Sequence, residues 1–249
     1  NLSRVALAAS ASKPAGDIAG ETAAALASAS MVLRADGQVA LADQLLEEAK
    51  QLFNFAEAYP EEFRDPLSDE FYRSYDAQDE LAWGAAWLYK ATGDPAYLHK
   101  AEAYAQHLVY DGGNQPTDKK FGWASKDFGV AALLAEATGD QQYFDRLSDH
   151  HAILQNISYM ADATSTNSGL AQLDWWGATR FAANAALIEL QYARLLAERG
   201  NPGDAALIGE LINFGSDQID YILGDNQSNQ SYLIGFGSKY PQQPHHQAS

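Results

Sequence analysis

An all-α fold built from successive helical hairpins is what this sequence predicts, and three observations carry the prediction. Apolar residues recur at helical spacing along most of the chain. Glycine or proline punctuates the ends of those stretches, as helix stops require. And one corner is repeated: Ala91-Thr92-Gly93-Asp94 with Tyr97 returns 46 residues later as Ala137-Thr138-Gly139-Asp140 with Tyr143. A repeat of that length describes hairpins arranged around an axis, which suits an open solenoid or a closed α/α toroid equally. No stretch shows the period-two alternation of a convincing strand.

Taken in order, Lys13 to Asp17 forms a turn with Asp17 as N-cap of an alanine-rich helix running from Ile18 to about Leu33. Asp36-Gly37 breaks it. A second helix spans Gln38 to about Ala58, with Leu41, Leu45, Leu46, Ala49, Leu52, Phe53 and Ala56 as its apolar stripe, and Tyr59-Pro60 ends it. Residues 60–78 read as an acidic, aromatic loop. A third helix runs from Asp79 to Ala91 and closes at Gly93; a fourth has Pro95 in its first turn and reaches about Val109. Beyond the loop at 111–123, helices are expected from Lys126 to Ala137, from Gln141 to about Ile157, from Gly177 to Arg199 and from Asp204 to Leu223. That makes about eight. Residues 158–169 read as a polar loop, and no linker marks a second domain, so a single domain is expected.

Bulk properties narrow the function. The chain has 249 residues, 47% of them apolar, enough for a sizeable core. A net charge of −17 disfavours nucleic acid and an anionic membrane surface as partners. With no cysteine, disulfides, thiolate metal sites and cysteine nucleophiles are excluded. No apolar run reaches the ~18 residues that span a bilayer. The short apolar start, without an initiator Met, reads as internal to a longer protein.

Several groups carry candidate chemistry. Residues 220–249 are polar, glycine-rich and aromatic, and close on His245 and His246. Trp176 and Arg180 lie four apart on one helix face, where an indole can stack on an apolar ligand face and a guanidinium can donate hydrogen bonds beside it. The competing role for Trp176 is in the core. Trp83 and Trp87 sit inside an apolar helix and read as core. Ser74, Asp76, Asp79 and Glu80 form an oxygen-rich cluster, although Asp79 and Glu80 also suit the start of their own helix. His99, His107, His150 and His151 match no motif and read as surface or satisfied core residues.

Four ordered blocks resemble glycoside hydrolase family 9. Residues 15–27 (AGDIAGETAAALA) are similar to its GSD-x-A-x-ETAAALA segment. Phe71-Tyr72-Arg73-Ser74-Tyr75 followed by 79–89 (DELAWGAAWLY) resembles its FYNS…DEL-x-W segment. Residues 173–184 (LDWWGATRFAAN) resemble WG-x-LRYAAN. Residues 220–226 (DYILGDN), 231–237 (SYLIGFG) and Pro244-His245-His246 resemble its histidine signature. The resemblance implies an (α/α)6 barrel, incomplete here with about eight of twelve helices, and an endo-1,4-β-glucanase that inverts configuration. In that mechanism an acid and a base sit roughly 6.5–9.5 Å apart.

The resemblance also assigns roles. The family's base lies in an Asp-Ala-Gly-Asp segment and its acid in an Asn-Glu segment, and this chain contains neither. Asp76-Ala77-Gln78-Asp79 looks like the first but runs straight into the DEL block. The 249 residues alone are therefore expected to be inactive. His245 takes the active-site histidine position, with His246 beside it and Gln247 where the family has Arg. Phe71, Tyr72, Trp123, Trp176 and Arg180 match cleft positions that bind sugar, although Ala124 replaces an acid beside Trp123. No cofactor is required; because some members bind Ca²⁺ at the DEL block, Ser74, Asp76, Asp79 and Glu80 are the candidate ligands, in a segment one residue short with Ala77 replacing glycine. The implied partner is β-1,4-glucan, met by a secreted monomer whose signal peptide lies outside this sequence. The other class left open is a non-catalytic helical-hairpin module that binds a glycan or acts as a scaffold.

Overall fold

The computed structural model describes residues 8–64, 73–108, 120–157, 159–160, 169–174 and 176–243. Among these are eight α-helices: α1 Gly16–Ala35, α2 Val39–Ala58, α3 Gln78–Thr92, α4 Pro95–Ala105, α5 Asp127–Thr138, α6 Gln141–Gln155, α7 Ala178–Arg199 and α8 Ala205–Leu223. The chain divides into two compact units, residues 1–110 with 123–143 and residues 111–122 with 144–249.

In the first unit, α1 packs on α2 and α3, and α3 packs on α4 and α5. The small residues of α1 make the close approach to α3 feasible. A Cβ added at Gly84 would sit 3.0 Å from the Gly20 carbonyl oxygen and 3.1 Å from the Phe53 ring. Phe53, Leu81, Leu88 and a row of alanines fill the space between these helices. On α2 the stripe is buried at Ala49, Phe53 and Ala56, but Leu41, expected in it, is 42% exposed.

The repeated corner has one geometry in both copies. Gly93 and Gly139 adopt φ 71°, ψ 6°, a left-handed conformation that favours glycine. Thr92 and Thr138 hydroxyls each donate to the carbonyl four residues back at 2.7 Å and accept from the Asp94 and Asp140 amides at 3.1 Å. The Asp94 side chain then accepts from the Ala96 amide and so caps α4. Lys90 and Glu136, equivalent positions of the two copies, form an ion pair at 2.8 Å.

In the second unit, α7 packs on α8. A core of Leu170, Ala171 and Ala182 is joined by Ile157, Ala178, Phe214, Tyr221 and Ile222. Where the sequence suggests only loop, Tyr159–Met160 and Leu170–Ala171 form a two-residue antiparallel pair. It is too short to leave an alternating pattern. Gln218 of α8 fixes it, accepting from the Ala171 amide at 2.7 Å.

Three boundaries differ from expectation. Asp17 is not the N-cap of α1; Ala15 is, without a side-chain bond. The Asp17 carboxylate accepts instead from the Phe63 amide, 46 residues away, and that tie holds it buried. α4 stops at Ala105, because His107 and Leu108 turn back onto the carbonyls of Tyr104 and Ala105. Pro202–Asp204 form a 3-10 turn before α8 begins.

Candidate functional site

The residues expected to bind substrate fall in different places. Phe71, Tyr72, His245, His246 and Gln247 lie outside the described residues. Trp176 and Arg180 lie in the second unit, and Trp123 lies in the first.

Trp176 is 66% exposed, which rules out the core role open to it in the sequence. The turn that presents it is fixed by Asp174. One carboxylate oxygen accepts from the Trp176 amide at 3.1 Å, and the other pairs with the Lys120 ammonium. Lys120 and Asp174 are only 11% and 19% exposed, so this pair is better shielded than a surface salt bridge. Gly177 follows with φ 66°, and a Cβ there would lie 3.3 Å from the Arg180 guanidinium carbon. Glycine thus lets Arg180 fold back along the turn. The Arg180 guanidinium lies 4.5 Å from the Phe181 ring centre and the Lys120 ammonium 5.2 Å from it. Asn184 donates to the Phe121 carbonyl at 2.8 Å, tying residues 120–121 to α7. An exposed indole on a turn tied by Asp174 and an exposed arginine in the first turn of α7 thus lie close in sequence at the start of one helix. Lys120 and Asp174 were not legible as members of this site, because they are 54 residues apart.

In the first unit, Trp123 is half-buried, and its carbonyl accepts from the Lys126 ammonium at 2.9 Å. The four candidate metal ligands have other engagements. The Ser74 hydroxyl donates to the Asp76 carbonyl, and the Asp76 side chain accepts from the Gln78 amide at the start of α3. Asp79 accepts from the Lys126 amide at 2.7 Å. Glu80, 1% exposed, lies 3.9 Å from the Lys126 ammonium, which is also 3.3 Å from Glu21. Burial raises the Asp79 carboxyl above its ordinary value, and hydrogen bonding to Glu80 and the Lys126 charge only partly offset that. Burial, then the Asp79 charge, push Glu80 well above the usual range. Among the described residues no group of three or more His, Cys, Asp or Glu is placed to hold a metal ion. The second Glu80 oxygen is buried without a hydrogen-bond partner.

A second buried cluster was missed by motif reading. Glu189 of α7 is fully buried and accepts from His150 Nδ1 at 2.7 Å and His151 Nδ1 at 2.6 Å, both on α6. The expected satisfied core histidine is realised at His150, 1% exposed. The signal for Glu189 was a lone carboxylate in the apolar stripe of Ala182, Ala185, Ala186, Tyr192 and Leu196. Burial alone would raise its carboxyl, but hydrogen bonds from the imidazoles and their charge outweigh burial and hold it below the ordinary value. The hydrogen bond to Glu189 holds the His151 imidazole above its ordinary value, against burial and with help from the Glu189 and Glu210 charges. The His151 contribution to stability is complete below pH ~6.5 and is lost as pH rises through its higher folded value. The Glu189 contribution is complete above the ordinary carboxylate range and is lost as pH falls through its lower folded value. Unfolding free energy is therefore expected to decline from pH 6 to pH 8, and His151→Asn to flatten the decline. Urea unfolding across that range checks this, and an undiminished decline in the variant would count against it.

The comparisons with known proteins decide the family. The family model "Glycosyl hydrolase family 9" matches residues 1–249. The chain belongs to glycosyl hydrolase family 9. Within this family, it is 42% identical to "Endoglucanase B" of Cellulomonas fimi, over 96% of this chain and 23% of that protein. It is 34% identical to "Endoglucanase A" of Bacillus pumilus, over 95% of this chain and 35% of that protein. Among solved structures, the endoglucanase of the termite Nasutitermes takasagoensis matches with a TM-score of 0.76 and 38% identity, covering 98% of this chain and 53% of that one. An endoglucanase of Clostridium thermocellum complexed with cellotetraose matches with a TM-score of 0.76 and 36% identity, covering 93% and 37%. The chain thus spans from about a quarter to about half of the family 9 proteins it matches. The mostly helical fold expected from the sequence is the one observed, and its structural neighbours belong to the (α/α)6 barrel family.

Proposed function

We propose that the chain is part of a secreted, monomeric endo-1,4-β-glucanase of the inverting type, and that Trp176 and Arg180 form part of its glucan-binding surface. The carrying observation is the exposed Trp176 indole, on a turn held by Asp174 and Lys120 just before α7, whose first turn carries Arg180. An apolar side chain of that size left 66% in water suits a ligand with apolar C–H faces and hydroxyl edges. The cellotetraose complex of a family member supports β-1,4-glucan as that ligand. Trp123, Phe71, Tyr72, His246 and Gln247 are further candidate glucan contacts in this reading, and His245 takes the catalytic position. The reading needs no cofactor.

Hydrolysis by inversion needs two opposed carboxyl groups. This reading places both in the Asp-Ala-Gly-Asp and Asn-Glu segments, which the 249 residues do not contain. Binding without turnover is the expected result. Tryptophan fluorescence titration with cellotetraose should saturate, and release of reducing ends from carboxymethyl-cellulose should stay at background. Turnover would overturn the placement of the carboxyl groups, and absence of binding would overturn the glucan surface.

A further inference from the structure

The acidic pocket of the first unit already contains a cation. Glu21 comes from α1, Asp79 and Glu80 from α3, and Lys126 precedes α5. Lys126 is 3% exposed, a rare condition for lysine unless it is paired. Its ammonium is 3.3 Å from a Glu21 oxygen, 3.9 Å from a Glu80 oxygen and 2.9 Å from the Trp123 carbonyl it donates to. The backbone of the same residue donates to Asp79 at 2.7 Å. One residue thus faces acids from two helices, with its charge and its amide.

We propose that the Lys126 ammonium is the resident cation of this pocket and that the chain takes no divalent metal there. Calcium asks for 6–8 oxygens converging at about 2.3–2.6 Å. Here each acid already has one oxygen facing a donor or the ammonium, and only the second Glu80 oxygen is buried without a hydrogen-bond partner. Asp79 and Asp76 accept from the Lys126 and Gln78 amides, and Glu80 and Glu21 face the ammonium. The turn that delivers Lys126 carries Ala124 and Ser125, and the buried Asp127 follows it in the first turn of α5. An ammonium on a buried stem carries one charge, cannot be chelated away and is bound as soon as the chain folds. The acidic pocket then joins α1, α3 and the start of α5 without drawing on an ion from solution.

The test is thermal unfolding of the 249-residue chain, followed by circular dichroism after dialysis against EDTA and again in millimolar Ca²⁺. The two midpoints are expected to agree within about 1 °C, because a metal that binds only the folded state raises the midpoint. Lys126→Met, which keeps the stem and removes the charge, is expected to lower the midpoint by roughly 10 °C. A rise of several degrees in Ca²⁺ for the unaltered chain overturns the proposal, as does a Lys126→Met variant as stable as its parent. Should that variant not fold, calorimetric titration of Ca²⁺ into the unaltered chain decides alone. No saturable heat is expected, and a stoichiometric isotherm overturns the proposal.

Discussion

Glu189→Ala is expected to cost the folded chain about 3–5 kcal/mol, the range for removing one partner of a buried ion pair. The carboxylate is fully buried and both its oxygens are used, one by each imidazole. Truncation leaves His150, which is 1% exposed, with a donor facing a void and no water to replace the acceptor. His151 suffers less, because it is 13% exposed and also faces Glu210 at 3.8 Å. For a chain of this size such a loss lowers the unfolding midpoint by about 10 °C. Glu189→Gln keeps the volume and one acceptor, so it should retain part of the stability and lose the pH response of the cluster. Denaturant unfolding of the three proteins measures this directly. An alanine variant within about 1 kcal/mol of the parent would show that the cluster contributes little.

Trp176→Ala is expected to act on binding and leave stability alone. A two-thirds exposed side chain contributes little to folding, so unfolding should stay within about 0.5 kcal/mol of the parent. Covering an indole with a sugar ring removes on the order of 100 Å² of apolar surface from water, worth about 2 kcal/mol. That corresponds to roughly thirtyfold weaker binding of cellotetraose. Titration by calorimetry reads it without relying on the fluorescence of the deleted residue. Unchanged affinity would remove Trp176 from the glucan surface, and a large stability loss would return it to the core.

Features set by neighbours in sequence were legible in advance. The corners at Gly93 and Gly139 could be read because threonine, glycine and aspartate act on amides and carbonyls within four residues. The shared helix face expected for Trp176 and Arg180 is not formed, because Trp176 precedes α7 and the left-handed Gly177 caps that helix between them. What else escaped was set across helices. Asp17 looked like a cap because its true partner, the Phe63 amide, is 46 residues away. Asp79 and Glu80 looked like metal ligands because Lys126, which faces them, lies on a different element. Glu189 sat in view as a charge inside an apolar stripe, but only the fold brings His150 and His151 to it.

The long-range ties have a further consequence for how the chain folds as it is synthesised. Asp17 to Phe63, Lys90 to Glu136, Asp79 to Lys126, Glu57 to Tyr104 and Ala171 to Gln218 all span 46 or 47 residues. A partner at that distance follows its mate out of the ribosome by only a few seconds, at the usual ~5–20 residues per second. Each hairpin can thus be fastened to the one before it while the next is still being made, with modest loop-closure cost at every step. The repeated Thr-Gly-Asp corner acts as the punctuation of that process, turning the growing chain back at the point where its next tie comes within reach.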